Sequence, residues 1–319
     1  MPIPPSLTRP LANLVKRATS RKAGGYQLFD LTLSRSRLVS PSLASLVFTG
    51  EHAQSIHALA ADQRIKLFFP LPGQTPAKLP AHDDWHVAFK ALPMALRPAM
   101  RTYTLRRVNP AASEVEVEFV LHGEHGPASA WATHAQPGDT LQMVAPHAGF
   151  DGDPGGYEWN PPAGIRHVLL IGDETALPAI AGILETLAAA PMPPRVEAFI
   201  EVPDVHDTRP LVQPGDARVV WLPRAPSGAR HGEGMCQAAR EAATLPAATG
   251  PRPAALGDVD IEKQVLWDRA TPTDDGFYAW VAGESAAVMA IRKHWVAERG
   301  IDRRSVALMG YWRLGRALE

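Results

Sequence analysis

The sequence predicts two units of different fold class: an N-terminal six-stranded antiparallel β-barrel and a C-terminal doubly wound parallel sheet flanked by helices. Three observations carry this. Val115, Val117, Phe119 and Leu121 alternate with Glu114, Glu116 and Glu118, the period of two expected of a half-buried strand. Beyond residue 165 the rhythm changes, and an apolar run at 167–171 leads into Leu177, Ile180, Ile183, Leu184 and Leu187 at helical spacing, then into a second apolar run at 196–202. The chain of 319 residues is also about twice the ~150 of an ordinary domain, enough for two cores.

In chain order, residues 1–24 form a basic, Pro-rich tail (Pro2, Pro4, Pro5, Arg9, Pro10, Lys16, Arg17, Arg21, Lys22). Residues 25–150 are assigned to the barrel. Its strands are read at 27–33, 43–49, 64–69, 100–108, 114–121 and 140–145, between Pro- and Gly-rich turns, with one short helix near 128–135. Residues 151–164, rich in Gly, Pro and Asp, read as a linker. The α/β unit occupies 165–319, with strands at 167–171, 196–202, 218–222, 277–282 and 306–309 and helices over 177–187, 234–243 and 284–299. The remainder of 223–263 is expected to be a long, mobile connection.

Composition narrows the function. Hydrophobic residues at 45% with charged residues at 20% exclude a mainly disordered chain. Lys+Arg at 32 against Asp+Glu at 33 leaves a net charge of −1, hence no global field for nucleic acid or an anionic membrane. Cys236 is the sole cysteine, which excludes an intramolecular disulfide, a thiolate zinc finger and an all-cysteine iron–sulfur cluster. Any electron chemistry therefore needs a bound cofactor. There is no signal h-region and no run of about 18 apolar residues, so the expectation is a soluble, cytoplasmic protein, a monomer by default.

Five segments carry candidate chemistry. Arg101, Tyr103 and Thr104 on one strand offer a cation for a phosphate, an aromatic to cover a planar ring and a hydroxyl for a ring heteroatom. The run His122 to Ser129 leads from strand to helix through Gly123 and Gly126, and reads as a phosphate cradle or as a turn closed by a Ser129 cap. Gly172, Asp173, Glu174 and Thr175 lie at the carboxyl end of the first parallel strand, where such sheets bind ligands, with Thr175 a natural N-cap and Pro178 in the first turn. This is not a G-x-G-x-x-G turn, and its two acids oppose a pyrophosphate. Gly283, Glu284 and Ser285 resemble a hydrolase nucleophile elbow, yet His294 precedes Asp302 and lies on the helix that the Ser itself starts. Tyr311 and Trp312 near the terminus either pack an interface or cover a flat cofactor. No metal site is assigned: His122 with His125 and His82 with His86 lack further ligands at recognisable spacing, and the calcium-like start at Asp151 has Pro162 where a bidentate Glu is needed.

Taken in order, RTYTLRRV at 101–108, HGEHGPASAWA at 122–132, GDETALPAI at 172–180, AWVAGESAA at 279–287 and GYWRLG at 310–315 resemble the siderophore-interacting protein family. These are flavin-dependent ferric-siderophore reductases related to the ferredoxin–NADP reductase superfamily, and the resemblance runs from about Tyr26 to Gly315. It implies FAD, with Arg101 on a phosphate, Tyr103 by the isoalloxazine or ribityl chain, Thr104 near flavin N5, and His122, Gly126, Pro127, Ala128 and Ser129 on the remainder; Trp312 is grouped with them. It implies an NAD(P)H-binding second unit with Gly172, Asp173, Glu174, Thr175, Gly283 and Glu284 at the nucleotide site. The superfamily's Cys-Gly-Pro appears here as Ala282, Gly283, Glu284, without the thiol.

The implied reaction passes electrons from NAD(P)H through flavin to Fe(III), which hard oxygen donors hold far more tightly than Fe(II). For an anionic ferric siderophore, the resemblance points first to Lys66, then Arg313, with Arg106 and Arg107 third. Reduced ferredoxin is left open as a donor. NADH and NADPH are also left open, because Glu201 suits ribose hydroxyls while Arg209 and Arg224 suit a 2′-phosphate. Two other readings stand beside this one: a general NAD(P)H–flavin reductase with another acceptor, and a non-catalytic siderophore- or flavin-binding protein.

Overall fold

The computed structural model describes residues 24–70, 78–79, 84–124, 126–247, 265–271 and 276–316, so most of the expected tail and residues 248–263 of the expected connection lie outside it. The first sheet contains β1 (Tyr26–Ser40), β2 (Leu43–Thr49), β3 (Arg64–Phe69), β4 (Ala99–Thr104), β5 (Arg107–Asn109), β6 (Glu114–Val120) and β7 (Thr140–Pro146), with α1 (Trp85–Ala91) and α2 (Pro127–His134) between strands. Its order is β4-β3-β7-β1-β2-β6-β5, antiparallel throughout, curled into a half-barrel. The count is seven strands where six were expected, because the run at 100–108 changes partner in its middle. The Leu105 N–H donates to the Gln63 carbonyl at 2.7 Å and the Arg106 N–H to the Glu116 carbonyl at 2.9 Å, so the chain leaves β3 and joins β6.

Alternation builds the barrel core. Leu31, Leu46, Phe48, Leu67, Phe69, Val117, Phe119 and Met143 all face it, and Ala128 and Ala132 of α2 pack on it. β1 can serve both β7 and β2 because bulges at Leu33/Arg35 and Leu38/Ser40 bend its 15 residues.

The second sheet contains β8 (His167–Gly172), β9 (Arg195–Val202), β10 (Arg218–Pro223), β11 (Trp267–Asp268), β12 (Phe277–Glu284) and β13 (Val306–Trp312), with helices α3 (Leu177–Ala188), α4 (Glu233–Gln237) and α5 (Ser285–Arg292). Its order is β10-β9-β8-β12-β13-β11. Only β11 runs antiparallel, and two residues are too short to show a period. Val168 and Leu170 of β8 pack with α3, whereas Leu169 and Ile171 pack with α4 and α5, so both faces are covered. The chain winds from β8 to β10 on one side and to β12 and β13 on the other. The reversal falls at the carboxyl ends of β8 and β12, where Gly172 pairs with Ala282. The expected helix at 234–243 is α4 continued by a π-helical turn at Ala238–Ala242, and α5 likewise continues through Lys293–Glu298.

The two sheets are joined by polar contacts. Arg106 binds Glu185 of α3 through both carboxylate oxygens, and Arg209 donates to Glu118 of β6 at 3.0 Å. Asp207 accepts from Ser40 Oγ and from both Ser42 N–H and Oγ at 2.7 to 2.8 Å. Gly182 of α3 lies so close to Ala61 that an added Cβ would meet its backbone oxygen at 3.2 Å. Among the described residues no helix is long and apolar enough to cross a membrane.

Candidate functional site

The register of β3 against β4 pairs Lys66 with Thr102 and Arg64 with Thr104, placing these four on one face and Arg101 and Tyr103 on the other. Tyr103 packs its ring 4.5 Å from Phe119 and 6.3 Å from Phe69, and burial raises its hydroxyl pKa well above the ordinary value. Arg101 donates to the Met100 carbonyl at 2.8 Å and, among the described residues, meets no carboxylate. Thr104 is 6% exposed, and its hydroxyl makes no hydrogen bond among the described residues, yet the oxygen is not a buried orphan: it still reaches the surface of the sheet, where an incoming group can bond it.

The loop 122–129 is pinned from below. Ser129, 2% exposed, accepts the His122 N–H at 3.0 Å and donates to the Gly123 carbonyl at 2.7 Å. It is therefore not the helix cap: α2 starts at Pro127 behind Gly126, which has φ of +92° and leaves the N-terminus without a side-chain cap. Among the described residues, a Cβ on Gly126 would meet nothing closer than His122 Cε1 at 3.8 Å, so none of them fills the space beside the first turn of the helix. An uncapped eight-residue helix opening beside a glycine turn suits a phosphate. His125 and His82 lie outside the described residues, and His86 is exposed on α1.

The switch point is organised differently. Asp173, 1% exposed, accepts four hydrogen bonds: from Thr175 N–H at 2.9 Å, Thr175 Oγ, Glu284 N–H at 2.9 Å and Trp312 Nε1 at 2.7 Å. Thr175 is thus tied to Asp173, and the residue at the α3 N-cap is Ala176. Glu174 holds Arg224 through both oxygens at 2.7 Å. Glu201, fully buried, accepts from Arg224 at 3.1 Å, Gly232 N–H at 2.7 Å and Met235 N–H at 3.2 Å. Glu284 caps α5 with one oxygen and accepts Arg313 Nη1 and Leu314 N–H, both at 3.2 Å, with the other. Ser285 is buried and donates to the Trp312 carbonyl at 2.7 Å, while His294 pairs with Glu298 on its own helical turn. That disposes of the hydrolase elbow.

Of the residues expected to meet a substrate, Lys66 donates to Thr102 Oγ1 at 2.7 Å, and its pKa is lowered by burial and by the nearby charge of Arg64. Arg313 is engaged by Glu284. Arg106, with its side chain buried, and Arg107, with its side chain exposed, both pair with Glu185 at the sheet interface. Trp312 is half-buried at the end of β13, edge-on to His231 at 5.0 Å. Sequence reasoning missed a second cluster: Arg64 lies 4.2 Å over the Trp267 ring and donates to Glu158, which also accepts Trp267 Nε1 at 2.7 Å, and Trp267 stacks on Tyr311. Nothing local in the sequence marks Glu158, since its side-chain partners, Arg64, Trp267 and Arg269, come from two distant segments.

Comparison with known proteins places this geometry. The siderophore-interacting FAD-binding domain matches residues 32–150, and the siderophore-interacting protein model matches 165–315. An uncharacterized Mycobacterium tuberculosis protein is 32% identical over 300 residues, covering 92% of this chain and 93% of its own. The chain belongs to the siderophore-interacting protein family. Within that setting, the ferric vibriobactin reductase ViuB of Vibrio cholerae is 27% identical over 289 residues, 91% of this chain and 90% of that protein. The crystal structure of a siderophore utilization protein from T. fusca superposes with a TM-score of 0.67 at 26% identity, covering 92% and 95%. For a siderophore-interacting protein, the open N-terminus of α2, the unpaired Arg101 and the unpartnered Thr104 hydroxyl fit a flavin dinucleotide.

Proposed function

We propose that this chain is a FAD-dependent ferric-siderophore reductase, with NAD(P)H as donor, acting in the cytoplasm as a monomer. In this reading residues 25–150 hold the flavin and 165–319 form the second wall of the cleft, strapped together by 151–164. The observation that carries it is a single strand of the FAD-binding half, β4, that offers on one face Arg101, which meets no carboxylate among the described residues, and on the other Thr104, whose hydroxyl makes no hydrogen bond among them. Bound FAD supplies acceptance of two electrons and their release one at a time.

The chain's own residues do the rest. Arg101 neutralises a phosphate with charge-assisted hydrogen bonds, and the first turn of α2 behind Gly126, Pro127, Ala128 and Ser129 adds backbone amides and the positive end of the helix dipole. His122 is fixed at the loop edge by Ser129. Thr104 donates to or accepts from a ring heteroatom. Lys66, an ammonium on the same face of the sheet as Thr104, attracts an anionic ferric complex. No acid, base or nucleophile is needed to move an electron onto Fe(III), and the product Fe(II) is held weakly by hard oxygen donors.

The test is spectroscopic. Purified protein reconstituted with FAD is titrated anaerobically with NADH or NADPH, then given a ferric siderophore and an Fe(II) chelator. Bleaching of the flavin band followed by chelator colour is expected. Flavin that stays unbound, or reduced flavin that yields no Fe(II), refutes the proposal.

A further inference from the structure

At the switch point the amides that open α5 are capped by the chain's own carboxylate, and those of the turn entering α3 are taken up by Asp173. At α3, the Thr175 N–H is spent on Asp173 Oδ1, the Ala176 and Leu177 N–H groups are spent on the Asp173 carbonyl at 3.0 and 3.1 Å, and Pro178 has none to give. At α5, the Ala286 and Ala287 N–H groups both go to Glu284 Oε2, at 2.6 and 3.1 Å. A dinucleotide pyrophosphate is held in such folds by these amides and the helix dipole behind them. Here it would find those five amides already bonded, and it would add to the negative charge of Glu174, Glu201 and Glu284, set against Arg224 and Arg313.

The groups that would read the ribose are spent as well. Glu201 is wholly buried on Arg224 and two backbone amides, Arg224 is clamped by Glu174, and Arg209 is bound to Glu118 at the sheet interface. Neither a 2′-hydroxyl nor a 2′-phosphate has a reader among these three.

We infer that the switch point of this chain is closed to the phosphates of a nicotinamide dinucleotide, so that the donor is engaged at its nicotinamide end alone and NADH and NADPH are not distinguished. The inference deepens the reductase reading and rests on it. It is specific to the GDET turn and to Glu284, the positions where a free amide would be required.

Two measurements on the FAD-loaded protein test it. Calorimetric titration with 5′-ADP and with 2′,5′-ADP should give no binding heat up to about 1 mM. The observed rate of flavin bleaching should rise linearly with NADH and with NADPH, without saturation, and the two slopes should agree within about threefold. Saturation or nucleotide binding below about 100 µM, or a preference of about tenfold or more for one nucleotide, overturns the inference. Glu284→Ala, checked for native circular dichroism, uncovers the Ala286 and Ala287 amides and should gain measurable 5′-ADP binding. A folded variant that stays blank refutes the role given to that cap. Failure of chemically reduced, flavin-loaded protein to form Fe(II) would instead remove the reductase reading and leave the nucleotide result standing.

Discussion

Asp62 accepts the indole N–H of Trp280 at 3.0 Å, although 218 residues separate the two along the chain. The same oxygen accepts the N–H groups of Glu158 and Trp159 at 2.9 Å, so one carboxylate ties the loop before β3, the strap and β12 together. Asp62→Ala strands three buried donors, and at about 1 kcal/mol each the expected loss is ~3 kcal/mol, read as a lower urea midpoint. Trp280→Phe keeps most of the ring but drops one donor and should cost about 1 kcal/mol. Equal midpoints for the two variants would contradict this account.

Arg101→Ala should weaken FAD binding about 10- to 100-fold, the worth of a charge-assisted hydrogen bond, with circular dichroism unchanged. Fluorescence titration of the apoprotein with FAD measures it. Thr104→Val, by contrast, removes a hydroxyl that makes no hydrogen bond among the described residues, so Fe(II) formation should fall while FAD affinity moves less than about threefold. An Arg101→Ala protein that binds FAD normally would remove the phosphate role.

Lys66→Ala should raise the dissociation constant for a ferric siderophore about fivefold, as expected for one half-exposed charge, with FAD affinity retained. Burial and Arg64 lower the Lys66 pKa, so its ammonium is lost at a lower pH than that of an ordinary lysine. Affinity in the wild type should therefore fall on the alkaline side before an ordinary lysine would titrate, and Lys66→Arg should move that fall upward. Identical alkaline profiles for wild type and Lys66→Arg would show that another group sets it.

The Glu185 carboxyl is held below its usual range by the Arg106 guanidinium, against the opposing effect of burial. A depressed carboxyl contributes stability that is present above its unfolded pKa and lost as pH falls through the folded one. Thermal midpoints of wild type should thus drop on acidification below about pH 4.5, and Glu185→Gln should show a lower midpoint at neutral pH with a shallower acid limb. Parallel acid limbs would exclude the Arg106–Glu185 contact as a source of that stability.

Much of this architecture was legible in the sequence. The alternation of 114–120 and the helical spacing from Leu177 to Leu187 reappear as β6 and α3, because each pattern reports one local period and one buried face. Propensity failed where tertiary context decides: the corner at Leu105–Arg106, the two-residue β11, and Ser129, which has the residue type of a cap but ties down a loop. The motifs located the residues that surround the site without revealing their state. GDET marks the switch point, yet only the fold shows that Asp173 and Glu174 are already consumed by Trp312 and Arg224, from segments 139 and 50 residues away. Arg106 and Arg107 look like any exposed basic pair until α3 brings Glu185 to them.

The polar joints between the two sheets also set a clock. Electron tunnelling slows steeply with each ångström of separation, so a cleft whose halves swing apart gives a spread of rates governed by the swing. Asp62 with Trp280, Asp207 with Ser42, Arg106 with Glu185 and Arg209 with Glu118 fix the halves at four places around their common face, and Gly182 removes the space for a side chain between α3 and Ala61. The gap an electron must jump is then a property of the folded chain and not of its breathing. What varies from one turnover to the next is how the incoming iron complex seats itself.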